Sequence, residues 1–470
     1  QVSSALVGTP PPPRPSTFSF RSVPFLLVHG RVVMVAPGMR CRGFSGVVAA
    51  AVKTSPSIVL LPPSAPSSSS SSGRPRWASA GATAGAAARR GCATDVHISE
   101  ERLGQFLRAE AAGLAGQEAT PISLGQVLEA STPRRAAEFL HRELPIRFAK
   151  RMRQIEALPR WREFRDLAEV HYLYFQSFRE LRLGSPFADG SLDAFTETVA
   201  RLKRRMEPVV PLLMEAMREL REKRVFASDG AIDRWLDSFL LSRIGTEMLT
   251  SQYISCAVPT YGGWSGCVGI VHDRCCPVDI VSRAAARAQR LCTEHFKCAH
   301  DVRIEVESVQ DSCDGGGHLC FTYVPQYLFY MVLELLKNSA RATVEIAGQD
   351  PCEIIKKPIV VTVSADARQV AVRIHDQAGG IPEEVQHRIW SYMFSTAASR
   401  ADSFEHRGTP LAGYGVGLPL CRLYAHYLGG SLQLISLPGQ GTLSYLHLQR
   451  LDTDAREELS IRHCRPRAAA

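Results

Sequence analysis

The spacing of large apolar residues changes once along this chain, and the change falls at Gly262 and Gly263. Before it, from about residue 123 to residue 256, apolar side chains recur every three or four positions, the repeat of helices with one buried stripe. Leu140, Leu144, Phe148, Met152 and Ile155 make one stripe, closed by Pro159. Residues 160–183 carry a second, with Tyr172, Tyr174 and Phe175. A third begins at Ser191 or Asp193, either of which can cap a helix, and runs through RLKRRMEPVVPLLMEAMRELREK, where Pro208 and Pro211 are expected to kink it. Leu236, Leu240, Ile244 and Met248 mark a fourth, over 231–254. Long amphipathic helices with short connections predict an antiparallel four-helix bundle. After the glycines, 278–296 and 418–428 read as helices, while 302–308, 359–364, 370–374, 432–436 and 443–448 alternate like half-buried strands. The spacing therefore predicts an α+β chain, a helical bundle at 95–260 followed by an α/β sandwich at 265–455.

The 470 residues suffice for two or three cores. Asp95 is the first acidic residue. The nine Arg and one Lys before it exceed the whole formal charge of +9, leaving −1 on the remainder. The basic character belongs to the leader, which argues against a nucleic-acid-binding surface. Residues 1–94 are rich in Ser, Pro, Ala, Gly and Arg and are expected to be disordered; an Arg-rich, Ser-rich, acid-free segment has the composition of an organelle transit peptide, mitochondrial or plastid. A later start at Met34 or Met39, and a short secretory apolar run at 46–52, stay open. No apolar run reaches the roughly eighteen residues of a membrane span. The thirteen Cys are scattered, and only Cys267, His272, Cys275 and Cys276 cluster. Vicinal Cys275 and Cys276 point opposite ways on a strand and no second Cys-x-x-Cys follows, so reduced thiols are expected rather than zinc.

In YLFYMVLELLKNSARATV, residues 327–344, a helix stacks Glu334, Asn338 and Arg341 on one face and Leu328, Met331, Val332 and Leu335 on another. A carboxylate one turn before a carboxamide can aim at a hydroxyl while the amide oxygen coordinates Mg²⁺, a pairing suited to phosphoryl transfer. Alone, the stretch also reads as an amphipathic helix with solvated polar residues. Asp376, in HDQAGGIP, follows a strand; its carboxylate can accept from an adenine amino group, while Gly379 and Gly380 allow close backbone approach. A plain Asp-Gly turn is the other reading. GYGVGLPL, with Gly413, Tyr414, Gly415, Val416, Gly417 and Leu418, opens a helix whose first N–H groups can cradle phosphate oxygens. Before it lies a polar loop, 397–410, with the look of a mobile lid. GQGT leads into a strand and places the Thr442 hydroxyl near the base. Neither a Walker lysine motif nor the V-A-I-K, H-R-D and D-F-G elements are present.

Together E-x-x-x-N, D-x-x-G-G, G-x-G-x-G and G-x-G-T, in that order, resemble the GHKL (Bergerat) superfamily of ATP-binding domains, shared by sensor histidine kinases, certain chaperones and type II topoisomerases. Within it, YVPQYLFYMVLELLKNSARATVE, WSYMFSTAAS, PLAGYGVGLPLCRLYAHYLGGSLQLISLPGQGT and FLHRELPIRFAKRMRQIEALP are similar to stretches of the mitochondrial pyruvate and branched-chain 2-oxoacid dehydrogenase kinases. The resemblance covers roughly 122–454. It implies Glu334 as general base toward a substrate serine and Asn338 as Mg²⁺ ligand. It implies Asp376 as the adenine acceptor, and the segment Glu334 to Arg341, above all Glu334, Asn338 and Arg341, with Gly380, Ser395, Thr396, Gly413 to Leu418 and Thr442, as the nucleotide's surroundings. It further implies ATP and Mg²⁺ as cofactors, the E1α subunit and the E2 lipoyl domain as partners, a homodimer, and the mitochondrial matrix as the location.

The chain departs from that family at four places. Ala378 replaces the first Gly of D-x-G-G-G, Met206 stands where a His precedes V-V-P, and Tyr330 replaces a His one turn before the base. The tail 456–470, expected to be flexible, ends IRHCRPRAAA without an Asp-Trp motif. Two other readings stay open. HRELPIRF is similar to a sensor histidine kinase phosphoacceptor box, although His141 is followed by Arg142 rather than an acid. An ATP-gated scaffold without catalysis is the other.

Overall fold

The computed structural model describes residues 25–28, 31–34, 57–60, 95–129, 132–184, 191–258, 267–297, 302–310, 319–348, 350–366, 368–395, 415–450 and 459. The chain divides into two compact units, Gln1–Leu103 and Gly104–Ala470. In the first, β1 (Phe25–Val28), β2 (Arg31–Met34), β3 (Ser57–Leu60) and β4 (Asp95–His97) form one sheet in that order. β2 and β3 pair in parallel and the other neighbours antiparallel. Three of these strands, FLLV, RVVM and SIVL, lie where the leader was expected to hold no regular element. They are apolar runs with β-branched residues, suited to an extended ladder. Nearly all of the rest of 1–94, the loop at 397–410 and the tail at 456–470 fall outside the described residues.

The second unit begins with helices: α1 (Glu100–Ala115, most of it in this unit), α2 (Leu124–Glu129), α3 (Pro133–Glu156), α4 (Arg165–Leu183), α5 (Asp193–Arg205), α6 (Val209–Glu222) and α7 (Asp229–Ala257). α3 packs on α4 and α7, and α4 on α6. Phe148, Tyr174 and Phe239 meet edge to face, with centroids 5.5 and 5.7 Å apart. Gln154 Nε2 donates to Trp235 O and Arg151 Nη1 to Ser238 O, so α3 and α7 run in opposite directions. The expected single kinked third helix is two helices. Pro208 has no N–H to continue α5 and instead precedes α6, while Pro211 falls in the first turn of α6, where a missing N–H is harmless.

Beyond residue 266, strands and helices mix. The strands are β5 (Cys267–Val268), β6 (Val271–Cys275), β7 (Ile304–Gln310), β8 (Phe321–Tyr323), β9 (Ile359–Ala365), β10 (Gln369–Asp376), β11 (Ser431–Leu437) and β12 (Gly441–Gln449). The helices are α8 (Pro277–Phe296), α9 (Pro325–Ile346), α10 (Pro351–Lys356), α11 (Glu383–Gln386) and α12 (Gly417–Tyr427). A five-stranded sheet, ordered β11-β12-β10-β9-β7, is antiparallel except where β7 meets β9. α8, α9 and α12 pack on it and on one another, giving a mixed α+β architecture. A small antiparallel sheet, β5-β6-β8, was not anticipated, because strands of two to five residues carry too few alternations to be read.

Strand period then decides where one carboxylate goes. Val370, Val372, Ile374 and Asp376 share a face of β10, and the first three are buried with Val361, Val363, Leu446 and Leu448 across the ladder. Asp376 therefore points to the same side, beside α9. That helix buries Leu328, Met331, Val332, Leu335 and Leu336 almost completely, each worth about 1.5–3 kcal/mol relative to exposure. Its polar face is thereby fixed in rotation about the helix axis.

Candidate active site

A cavity of about 620 Å³ opens between α9, the loop after β10, the residues before 396 and the start of α12. Glu334, Asn338, Arg341, Asp376, Gly380, Ser395, Gly415, Val416, Gly417, Leu418 and Thr442 all line it. The family resemblance had implied that these residues, from five separate segments, surround one nucleotide. Thr396, Gly413 and Tyr414 lie outside the described residues.

Asp376 is 3% exposed and already well held. Oδ2 accepts from Ser339 Oγ at 2.8 Å, and Oδ1 accepts from the N–H of Ala378 at 3.2 Å and of Thr442 at 3.1 Å. A carboxylate offers about four acceptor positions, so these three bonds fix its orientation and leave room for one more donor. The turn that follows needs its glycines. Gly380 has φ +82°, and a Cβ there would lie 2.7 Å from Leu437 O. Ala378, by contrast, does not have positive φ, so the methyl that departs from D-x-G-G-G is accommodated without strain.

Glu334 and Lys337 form a buried pair one turn apart on α9, with Lys337 Nζ donating to Glu334 Oε1 at 2.9 Å. Glu334 Oε2 faces the start of α12: a Cβ on Gly417 would come within 2.9 Å of it. Behind them Cys421 is fully buried, and burial first, then the Glu334 charge, pushes its thiol well above its ordinary range. Asn338, one turn from Glu334, is exposed on the cavity wall. Arg341 Nε donates to Glu345 Oε1 at 2.6 Å at the rim. Lys337 and Ser339 fall within the segment 334–341 expected to line the nucleotide, but their partners were not read. Lys337 could have been found as an i, i+3 partner of Glu334; the partner of Ser339 could not, because it lies on a distant strand.

The donor set fits a magnesium-bound nucleotide. The volume lies within the range of about 300–1,000 Å³ usual for ligand sites. An exposed carboxamide supplies a hard oxygen beside a buried carboxylate, and Gly415 and Gly417 let the start of α12 approach the 393–394 backbone and Glu334 closely.

His141, in the HRELPIRF stretch, lies on α3 against the ring of Phe195, with centroids 6.1 Å apart. Burial, and then the positive charge of Arg182, lower its pKa to about 4. Met206 ends α5, buried, and its carbonyl accepts from Arg243 Nη2 at 3.1 Å. Tyr330 stacks obliquely on Tyr424, with centroids 5.1 Å apart. Cys275 is buried with its thiol pushed up to about 12, chiefly by burial, and among the described residues no group of three or more metal-capable side chains gathers.

Comparison with known proteins defines the class first. Residues 323–452 match the family of histidine kinase-, DNA gyrase B- and HSP90-like ATPases, and residues 120–272 match the mitochondrial branched-chain alpha-ketoacid dehydrogenase kinase family. The chain is 34% identical over 331 residues to the mitochondrial pyruvate dehydrogenase (acetyl-transferring) kinase of Arabidopsis thaliana, covering 69% of this chain and 87% of the relative. It is 32% identical to the same enzyme of Drosophila melanogaster, over 74% and 86%, and 30% identical to isozyme 4 of Ictidomys tridecemlineatus, over 73% and 84%. This chain belongs to the family of mitochondrial pyruvate and branched-chain 2-oxoacid dehydrogenase kinases, within the GHKL superfamily.

Proposed function

We propose that the chain is an ATP-dependent protein-serine kinase that transfers the γ-phosphate to the E1α subunit of a mitochondrial pyruvate or branched-chain 2-oxoacid dehydrogenase complex and so inactivates it. The observation that carries this reading is the convergence of Glu334, Asn338, Asp376 and the start of α12 on one cavity. The names of its relatives support the substrate class.

In this reading Asp376 accepts from the adenine amino group, using the acceptor capacity left by Ser339, Ala378 and Thr442. Thr442, Gly380, Arg341 and Ser395 surround the nucleotide, and the start of α12 at 415–418 offers backbone N–H groups to the phosphates; Thr396, Gly413 and Tyr414 are assigned to the same site by the family resemblance alone. Asn338 would hold Mg²⁺ through its amide oxygen, and the ion would supply neutralisation of phosphate charge. Glu334 receives the serine proton on its carboxylate. Lys337 fixes Oε1, so the carboxylate presents the edge that faces Gly417. Catalysis is then mainly positioning with electrostatic stabilisation.

The helices at 95–260 are an antiparallel four-helix bundle built on α3, α4, α7 and the α5–α6 pair, and 265–455 is the catalytic domain. Residues 1–94 act as a transit peptide, the protein works in the matrix as a homodimer, and the E2 lipoyl domain is a docking partner. Among the described residues no helix is long and apolar enough to cross a membrane.

The deciding experiment offers recombinant pyruvate and branched-chain E1α side by side with labelled ATP. Acid-stable, base-labile label on one E1α is the expected result. Acid-labile label on His141 of the chain itself, or no transfer to either subunit, would overturn the proposal.

A further inference from the structure

Phe394 and Ser395 line the cavity, and the chain reaches them from Tyr392, which is fully buried. The polar groups of Tyr392 are engaged by the helical half of the unit. Its N–H donates to Asp233 Oδ1 at 3.1 Å, its hydroxyl donates to Asp237 Oδ1 at 2.7 Å, and its carbonyl accepts from Arg221 Nη2 at 3.4 Å. Asp233 and Asp237 stand one turn apart on α7, and Arg221 is in the last turn of α6. Asp237 is 6% exposed; its Oδ2 lies 3.5 Å from Arg422 Nη2 on α12, and that guanidinium sits 5.1 Å from the centre of the Trp390 ring.

The next residue completes the link. Met393 has φ +62°, and its N–H donates to Gly415 O at 3.0 Å. Gly415, also at positive φ, lies so close that a Cβ there would be 2.6 Å from Phe394 O. α7 therefore holds Tyr392, and the residues just after Tyr392 hold the backbone that leads into α12. A buried hydrogen bond to a carboxylate transmits position well, because leaving either partner unpaired is costly.

We propose that Tyr392 is a positioning residue that ties the nucleotide-facing backbone at Phe394, Ser395 and Gly415 to helix α7, so that nucleotide affinity depends on the hydroxyl bond to Asp237. The inference rests on reading the cavity as the nucleotide site. By reciprocity, nucleotide binding also favours the arrangement of α7 that makes this bond. Nothing here touches the reacting atoms, so the effect falls on binding rather than on the chemical step.

The test uses the full chain, with Mg·ATP titrated calorimetrically and transfer to E1α measured over a range of ATP. Tyr392→Phe removes one oxygen and keeps the ring. It is expected to weaken ATP binding and raise the KM for ATP by about fivefold, with kcat within about twofold, as one lost buried hydrogen bond allows. Asp237→Asn keeps an acceptor for the hydroxyl and is expected to stay within about twofold of wild type. Asp237→Ala should match Tyr392→Phe, and the double variant carrying both of these substitutions should lose nothing further. Wild-type affinity in Tyr392→Phe, or a loss confined to kcat, would overturn the proposal while leaving the nucleotide site intact. A wild-type chain that binds no nucleotide would overturn both readings together.

Discussion

Ser339 on α9 donates a 2.8 Å hydrogen bond to Asp376 Oδ2 at the end of β10, joining the helical layer to the sheet at the wall of the cavity. The serine is 5% exposed and the aspartate 3%, so the bond is shielded from water. Through it, the helix that carries Glu334 and Asn338 is held in fixed relation to the residue assigned to the base.

Glu334→Gln keeps the size and hydrogen-bonding reach of the side chain but cannot accept a serine proton. Transfer to E1α should fall by about 10²-fold or more, the usual worth of a general base, with ATP affinity within about twofold. Single-turnover phosphorylation alongside calorimetric ATP binding makes the comparison. An unchanged rate would remove Glu334 from the proposed role.

Asn338→Ala takes away the exposed amide oxygen one turn from Glu334. ATP affinity should drop by about tenfold or more in millimolar Mg²⁺, while binding without the metal changes little. Equal losses with and without Mg²⁺ would assign Asn338 to the nucleotide itself.

Gly415→Ala places a methyl against the backbone of Met393 and Phe394 at a positive φ, whereas Ala378→Gly alters a position with ordinary backbone geometry. The first should cost about 1–3 kcal/mol of stability and the second less than about 1 kcal/mol, read from denaturant midpoints. A large effect at 378 would mean that the departure from D-x-G-G-G is compensated elsewhere.

His141 titrates near 4 in the folded chain, against 6.5 ordinarily, because burial and then Arg182 disfavour its charged form. Between these values the unfolded chain binds more protons than the folded one. The stability contributed by neutral His141 is therefore complete above pH 6.5 and lost progressively as the pH falls toward 4. On acidification through that window, wild type should lose about 1–2 kcal/mol more than His141→Gln, allowing for partial exposure. Denaturation curves at several pH values test it. The stacking of His141 on Phe195 is consistent with a packing residue.

Much of this molecule was legible before folding. Helical period placed α3, α4, α7, α8, α9 and α12 within a few residues, since stripes such as Leu236, Leu240, Ile244 and Met248 have few other ways to be buried. Strand period placed β7 and β9 to β12, but Asp376, read as following its strand, is the last residue of β10 and lies on its inward face. Glu334 and Asn338 shared a helix face by spacing alone. The break at 206–208 was read only as a kink, because a proline signals an interruption without saying whether the helix resumes on the same axis.

What the order of residues determined by itself was local: which segments coil, which extend, and which face each polar group takes, because those follow from periods of two and 3.6 residues. Only the tertiary structure decided which distant groups meet. Ser339 finds Asp376 thirty-seven positions away, Gly417 abuts Glu334, and Tyr392 reaches Asp237 across 155 positions. No repeat encodes such pairings, since they arise when separately formed layers pack and each buried polar atom must take whatever partner the packing brings within reach.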